Sequence, residues 1–567
     1  MDSRLRYAGL ASLLLAACTS VEDCIFDDDT PLAQPRDTAD SRAPGDSADT
    51  GHTGDSDSPT ETGDTGCVPT GNEIPYNGVD EDCDPTTPDD DLDSDGAGVD
   101  EDCDDSDPTV GPDAAAECHY RLRADLTLSG SWEGTLGSAL LRGDDLDGDG
   151  VAELWVGAEE GQNWTGVVHM YSGAQLISGA ALTDDDTLAS FSGAAEYDRI
   201  GRAEAMAWLG DRDGDGAREL LLACPSADPG GFSATGEVYL LATAGTSLVG
   251  ATQLASTAAT VRLQGADTAD RFGDALGVAD LDGDGVDDLL VGSPGNDSAS
   301  SEAGLIALFP GVSTAGATIS VDDASARMTG SYLEGLGRGV LRSAGDVDGD
   351  GHEDLMVGST SASDPAGVGT GVVYLVAGND VRDGSLAELA FATIAGAGSG
   401  DELGTNGRGL GDLDGDGPHE FVLQALKGDV LATNGGGLYL WHGGEQLAGQ
   451  LDISSAALAW GSETGLARAG EPLRAVDVNA DGVLDLLTAT PWHSSGGRVS
   501  LLDGASWASW GGGELGTDAR VWVSTHEADG LGTGLLATDL DAQGELDLLV
   551  GAPAADGANG VVVGVLR

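Results

Sequence analysis

Asp145 to Glu153, DLDGDGVAE, opens a series that returns as DRDGDGARE from Asp211, DLDGDGVDD from Asp280 and DVDGDGHED from Asp346. It continues as DLDGDGPHE from Asp412, DVNADGVLD from Asp477 and DLDAQGELD from Asp539. The intervals between first Asp residues are 66, 69, 66, 66, 65 and 62. Acidic low complexity does not hold register over such distances, so the chain is a repeat array. Each copy has the same surroundings. Some 8 to 11 residues upstream stands a large apolar residue before a small one: Leu136-Gly137, Ile200-Gly201, Phe272-Gly273, Leu336-Gly337, Leu403-Gly404, Leu466-Ala467 and Leu531-Gly532. Downstream runs an apolar strand ending in small residues, such as LWVGA, LLVGSP, LMVGST or LLVGAP, and a Gly then opens another, as in GVVHMY, GLIALF and GVVYLV. Each unit reads as four short strands joined by Gly and Asp turns, with no segment long or periodic enough for a helix.

One four-stranded sheet cannot cover both of its faces, and a radial ring of blades solves this while exposing only short edges. The phenylalanine-glycine and glycine-alanine-proline elements around the acidic loop resemble the FG-GAP repeats of the integrin alpha-chain propeller, over residues 119–567. The resemblance implies an all-β, seven-bladed β-propeller of four-stranded blades, with a calcium loop between strands 1 and 2 of each. The last unit stops after its third strand, at Val561 to Leu566, while Leu122 to Leu128 occupy the place of a fourth strand before the first unit. Those residues are expected to pair into the last blade and latch the ring.

The chemistry of the loops follows from their spacing. Side-chain oxygens at positions 1, 3, 5 and 9, a Gly at 6 and a backbone carbonyl at 7 match the start of an EF-hand loop, here joining strands. The expected ligands are Asp145, Asp147, Asp149 and Glu153; Asp211, Asp213, Asp215 and Glu219; Asp280, Asp282, Asp284 and Asp288; Asp346, Asp348, Asp350 and Asp354. The fifth loop offers Asp412, Asp414, Asp416 and Glu420, and the sixth Asp477, Asn479, Asp481 and Asp485. The seventh keeps Asp539, Asp541 and Asp547 but has Gln543 at position 5, so it is expected to bind weakly or not at all. Carboxylates packed this closely do not all stay ionised without a cation. About six structural calcium ions are therefore expected.

With antiparallel neighbours, the loops and the connections between strands 3 and 4 emerge on one face. The connections between strands 2 and 3 and between blades emerge on the other, where the family binds ligands. Candidates there are Trp164, Tyr197, Phe232, Tyr332, Lys427, Trp492 and His493. Arg142-Gly143-Asp144 spells a tripeptide that integrins recognise, but it runs into the first loop as a strand end and is read as coincidence. Cys224 lies in an apolar strand and reads as an inert buried thiol.

The remainder of the chain is a leader and a spacer. Residues 1–17 carry Arg4 and Arg6, an apolar run from Ala8 to Ala17, and Leu15-Ala16-Ala17 directly before Cys18. The run is too short to span a bilayer and has the layout of a secretory signal. Leu-Ala-Ala-Cys resembles the bacterial lipobox, which implies lipidation of Cys18. Thr19 after it favours the outer membrane of a Gram-negative cell. From Thr19 to Cys118 there are 31 Asp or Glu against Arg36 and Arg42 alone. Residues 18–66 lack apolar periodicity and read as a disordered, self-repelling acidic tether. Residues 67–118 contain EIPYNGVDEDCD and DCDDSDP, which resemble a metal-binding motif of many secreted bacterial proteins and, more loosely, thrombospondin calcium repeats. Ala97 interrupts the Asp ladder. Asp80, Asp82, Asp84, Asp93, Asp95, Asp102, Asp104 and Asp107 are further candidate calcium ligands, the other reading being a solvated acidic linker. Cys67 with Cys83 and Cys103 with Cys118 would close two short loops, one of three connectivities open to four Cys, and Cys24 is left over.

The charge, 24 Lys plus Arg against 99 Asp plus Glu, excludes electrostatic binding to nucleic acid or anionic lipid. No G-x-S-x-G, H-E-x-x-H, P-loop or dinucleotide fingerprint appears, and the eight His are scattered. The favoured expectation is a monomeric, non-enzymatic adhesion lipoprotein of the cell surface that recognises a protein or polysaccharide. A calcium-stabilised polysaccharide lyase or hydrolase and a structural envelope component are the alternatives.

Overall fold

A computed structural model describes residues 119–567, apart from short stretches that include 122–125, 212–215, 364–367, 524–529 and 541–545. Residues 1–118 lie outside the described residues, and with them Cys18, Cys67, Cys83, Cys103, Cys118 and the acidic segment 80–107.

The described residues form seven sheets, one per repeat, arranged as a β-propeller. Blade one shows the pattern. Leu136–Arg142, Leu154–Ala158, Val167–Tyr171 and Ala189–Ser192 follow one another antiparallel from the axis outward, with the first acidic loop between the first two strands. The middle strands are covered on both sides by neighbouring blades, so LWVGA is buried throughout rather than alternating. Inner strands of successive blades touch around the whole ring, the last meeting the first, and line an axial channel.

Each sheet carries a fifth strand beyond the expected four. It comes from the next blade: Thr252–Leu254, in the connection between the third and fourth strands of blade two, runs parallel to Ala189–Ser192 of blade one. The same connections also hold single helical turns, such as Gly173–Ile177 capped by Ser172, where no helix is expected. These connections thus protect the outer edge of the preceding blade.

The ring closes as its ends predict. Leu126–Ser129 pairs antiparallel with Val561–Val565, Leu126 opposite Gly564 and Leu128 opposite Val562. The described latch starts at Leu126, residues 122–125 lying outside the described residues, and its neighbours extend it. His119–Arg121 adds a parallel edge to Arg520–Val523 of blade six, and Leu182–Thr183 of blade one runs beside Leu128 and Ser129.

The core is distributed between blades. Leu126, Leu128, Leu549 and Val562 of blade seven pack with Leu136, Leu154, Val156 and Tyr171 of blade one, and similar clusters join blades one through six in sequence. The phenylalanine-glycine element explains itself here. A Cβ on Gly304, which opens the third strand of blade three, would lie 2.2 Å from the Leu336 nitrogen of blade four, and one on Gly292 would lie 2.4 Å from the Gly337 carbonyl oxygen. Backbone meets backbone at these points, so only glycine fits. In blade six the register differs from the sequence reading: Ala469-Gly470 takes this place, with Gly470 donating to the Ala489 carbonyl, while Leu466 is solvent-exposed at positive φ.

A charged clamp spans three blades at the channel rim. Asp274, buried, lies 3.2 Å from Arg202, 3.0 Å from Arg271 and 3.4 Å from Arg338. Burial alone would raise its carboxyl, but the three guanidiniums hold it below the ordinary value. Asp274→Asn leaves three cations without their shared counter-charge. Allowing for their partial exposure, the loss is expected to be about 2–3 kcal/mol, read as a lower urea midpoint.

Candidate functional site

The acidic loops turn on two left-handed residues. Position 6 is Gly at positive φ in the first six loops, as at Gly150 and Gly351, and position 4 is also left-handed, Gly148 and Gly349 in two loops and Ala480 in the sixth. In the fourth loop Asp346 accepts from the Gly349 and Gly351 amides at 2.8 and 2.9 Å, Asp348 from Asp350 at 3.0 Å, and Asp350 from His352 at 2.9 Å. Asp354 Oδ2 reaches back from the second strand to the Val347 and Asp348 amides at 2.9 and 3.1 Å. The first loop repeats this, with Glu153 accepting from Leu146 at 2.7 Å, as does the fifth, with Glu420 accepting from Leu413 at 2.7 Å. In the sixth, Asp477, Asn479 and Asp481 accept in the same way.

This geometry gathers ligand atoms. Asp145, Asp147 and Glu153 place oxygens within 4.8 Å of one another, as do Asp346, Asp348 and Asp354, and Asp412, Asp414 and Asp416. The position 9 carboxylates are buried in all seven blades: Glu153, Glu219, Asp288, Asp354, Glu420, Asp485 and Asp547. Burial pushes the carboxyls of Glu153 and Asp354 up to about 7 and raises those of Glu420 and Asp485. Asp354 Oδ1 is buried without a hydrogen-bond partner among the described residues. A donor set of hard, convergent oxygens with one buried oxygen left over fits a calcium-sized cation. Asp211, Asp280 and Asp539 stand at the heads of their loops, whereas Asp213, Asp215, Asp282, Asp284, Asp541 and Gln543 lie outside the described residues.

The connection after the third strand brings polar groups to the loops that the sequence reading missed. Ser172 Oγ donates to Asp149 at 3.0 Å, and Asn379 Nδ2 to Asp350 at 3.1 Å. His442 Nδ1 stands 3.4 Å from both Asp414 and Glu420 and forms a further convergent group with them. The only sequence signal is a polar residue within two positions of the end of that strand.

On the opposite face the candidates separate. Tyr197 and Tyr332 are 58% and 68% exposed, and Trp164 40%. Arg199 covers the Trp164 ring at 5.3 Å and pairs with Glu159 at 2.5 Å, so blade one presents an ordered aromatic and cationic patch. His493 is instead buried, and Trp492 is half-buried, a Cβ on Gly530 falling 3.2 Å from its ring. Burial sets His493 apart from the exposed candidates, and Trp492 packs beside the segment that enters blade seven. Lys427 pairs with Glu402 at 2.6 Å, and Phe232 lies outside the described residues. The face nonetheless collects apolar surface: of nine exposed large hydrophobic residues among the described residues, Trp164, Tyr197, Tyr332, Leu333, Val368, Leu431 and Leu466 lie on its loops. Left-handed residues recur three and one positions before the phenylalanine-glycine element, as at Tyr197 and Arg199 or Leu466 and Arg468, so this geometry belongs to the fold.

Two other motifs are absorbed by the structure. Asp144 of the Arg-Gly-Asp tripeptide is held by Arg218 at 2.6 Å, and Arg142 ends a strand. Cys224 is a buried thiol donating to the Asp198 carbonyl at 3.4 Å, and burial raises its pKa well above the ordinary value, so it is poorly suited to nucleophilic chemistry.

Seven blades, with an acidic loop between the first two strands, make a β-propeller that is similar to the FG-GAP propellers of integrin alpha chains. The FG-GAP repeat family matches residues 272–309 and 343–376. The chain is 28% identical over 225 residues to bovine phosphatidylinositol-glycan-specific phospholipase D, covering 38% of this chain and 26% of that one. It is 30% identical over 182 residues to human integrin alpha-IIb, covering 30% of this chain and 16% of that one. Among solved structures, the Dos1 propeller is similar over 73% of this chain and 74% of that one, at 12% identity and a TM-score of 0.38. The chain thus spans about a quarter or less of the length of these curated relatives.

Proposed function

We propose that this chain is a calcium-stabilised, non-enzymatic binding module, carried at the cell surface by a lipid anchor on Cys18 and an acidic tether, and recognising a protein or polysaccharide. The observation that carries the reading is the concentration of exposed apolar and aromatic side chains on the face opposite the acidic loops. Exposed apolar patches of this kind mark interaction surfaces, and aromatic residues beside a cation suit both protein and sugar recognition. The integrin relative supports a protein ligand, although the match covers 16% of that protein. In this role Asp145, Asp147 and Glu153, and their counterparts in later loops, hold calcium and stiffen the opposite face through the blades. Among the described residues no helix is long and apolar enough to cross a membrane, and the proposed attachment needs none.

Retention of the purified chain on immobilised cell-surface proteins and polysaccharides tests the reading. Retention on one class of material, reduced about tenfold or more by the double variant Tyr197→Ala and Tyr332→Ala with an unchanged melting temperature, is the expected result. Equal retention of that variant overturns the assignment of the face.

A further inference from the structure

The axial channel concentrates positive charge in a chain whose net charge is −75. Arg342, Arg408 and Arg474 lie on the inner strands of blades four, five and six, opposite Met356, Val422 and Leu487. Each partner stands two residues after the buried loop carboxylate of its own blade, so the three arginines share one level of the channel. At that level the other blades place Leu141, Ala207, Gly277 and Leu536, none of them charged. All three guanidiniums converge on one carboxylate from across the ring, Glu204 in the segment entering blade two. Arg474 lies 3.0 Å from it, Arg408 lies 3.5 Å away and Arg342 is in direct contact. Three cations on one anion leave a local excess of two positive charges.

The arginines are also held in place. Arg408 Nη1 donates to Asn406 Oδ1 at 2.9 Å and to the Gly407 carbonyl at 2.8 Å. Arg474 donates from Nε to the Leu535 carbonyl and from Nη1 to the Leu473 carbonyl, both at 2.9 Å. Their side chains remain 12% to 32% exposed, so the cluster borders open channel. Burial, with Arg408 and Arg474 beside it, lowers the Arg342 guanidinium well below its ordinary value, and burial brings Arg474 to about 10. A guanidinium keeps its proton in proteins, so this cost persists as unsatisfied positive potential. Channel walls of low dielectric focus such a potential.

We propose that Arg342, Arg408 and Arg474 form an anion-binding site in the axial channel, taking an oxyanion such as a carboxylate, phosphate or sulfate group, with Glu204 as the resident competitor. Convergent guanidiniums match oxyanions with several charge-assisted hydrogen bonds, the strongest kind available to side chains. The site stands apart from metal binding by the loops and from the role of the apolar face.

Calorimetric titration of the full chain with sulfate, inorganic phosphate and acetate, each against chloride of equal ionic strength, tests this. Binding of at least one anion at millimolar concentration is expected, and which anions bind separates tetrahedral groups from a carboxylate. Arg408→Gln should weaken it about tenfold, with Arg474→Gln as the second reading if the first variant does not fold. Glu204→Gln should tighten it, because the built-in competitor is removed. A purely structural ion-pair network predicts the reverse, a destabilised chain with no gain in anion affinity. Absence of anion-specific heat in both the native chain and Glu204→Gln, or binding unaltered by both arginine variants, overturns the proposal.

Discussion

Chelation with EDTA should lower the melting temperature of the propeller by about 17 °C at most, and by several degrees at least. A site at 100 times its dissociation constant adds about 2.7 kcal/mol, and six such sites give an upper bound of about 16 kcal/mol. Over the roughly 450 residues from 119 to 567, an unfolding entropy of about 2.1 cal/mol/K per residue converts that into the stated range. One site removed by Asp350→Asn should then cost about 3 °C in calcium. Without calcium the same substitution should leave the melting temperature unchanged or raise it. It then removes a carboxylate from a loop where Asp346, Asp348 and Asp350 already crowd Asp354, each of the neighbours Asp348 and Asp350 raising its carboxyl further. Identical melting curves in calcium and in EDTA would remove the metal from the account of these loops.

The repeat made the blades, the loops and the two faces legible, because each is fixed by local chemistry that returns every 62 to 69 residues. The closing strand was legible for a different reason: a missing fourth strand at one end and a surplus strand at the other have one topological solution. What stayed hidden depends on contacts between units. The parallel fifth strands, such as Thr252–Leu254 and Gly384–Ser385, are two to four residues long, and these two bury no residue fully, so they carry no apolar pattern long enough to read. The register of blade six was misread because Leu466-Ala467 looks more like the recurrent element than Ala469-Gly470 does. Only packing against Gly436, where an added Cβ would meet the Ala469 nitrogen at 2.2 Å, separates them.

The arginine cluster shows a mixed case. Arg342, Arg408 and Arg474 are spaced by 66 and 66 residues, so superposing the repeats puts them in phase. Their meeting with Glu204 is invisible in that superposition, because it joins blade two to blades four, five and six across the ring. The seven-residue collection of exposed apolar side chains is likewise a property of the assembled face, since no two adjacent candidates except Tyr332 and Leu333 are neighbours in sequence.

Removal of Leu126–Ser129 should cost the propeller its cooperative fold. These four residues supply the fourth strand of blade seven, and without them Val561–Val565 becomes an open edge with its backbone groups unpaired. Leu126 and Leu128, fully buried, also anchor the core shared by blades seven and one. The milder Leu128→Ala keeps the backbone pairing and should cost about 2–5 kcal/mol through the cavity alone. Calorimetry of the two variants separates the contributions: the point variant should keep a single sharp transition at a lower temperature, and the deletion should broaden or abolish it. Loss of the latch opens the ring at the one junction closed by strands from both ends of the described chain, so the damage should spread beyond blade seven. A deletion variant that melts as sharply and as high as the native chain would show that the other junctions hold the ring without it. Supplying a peptide of residues 119–129 to the deletion variant should restore the transition, since strand pairing with Val561–Val565 requires proximity but no covalent link.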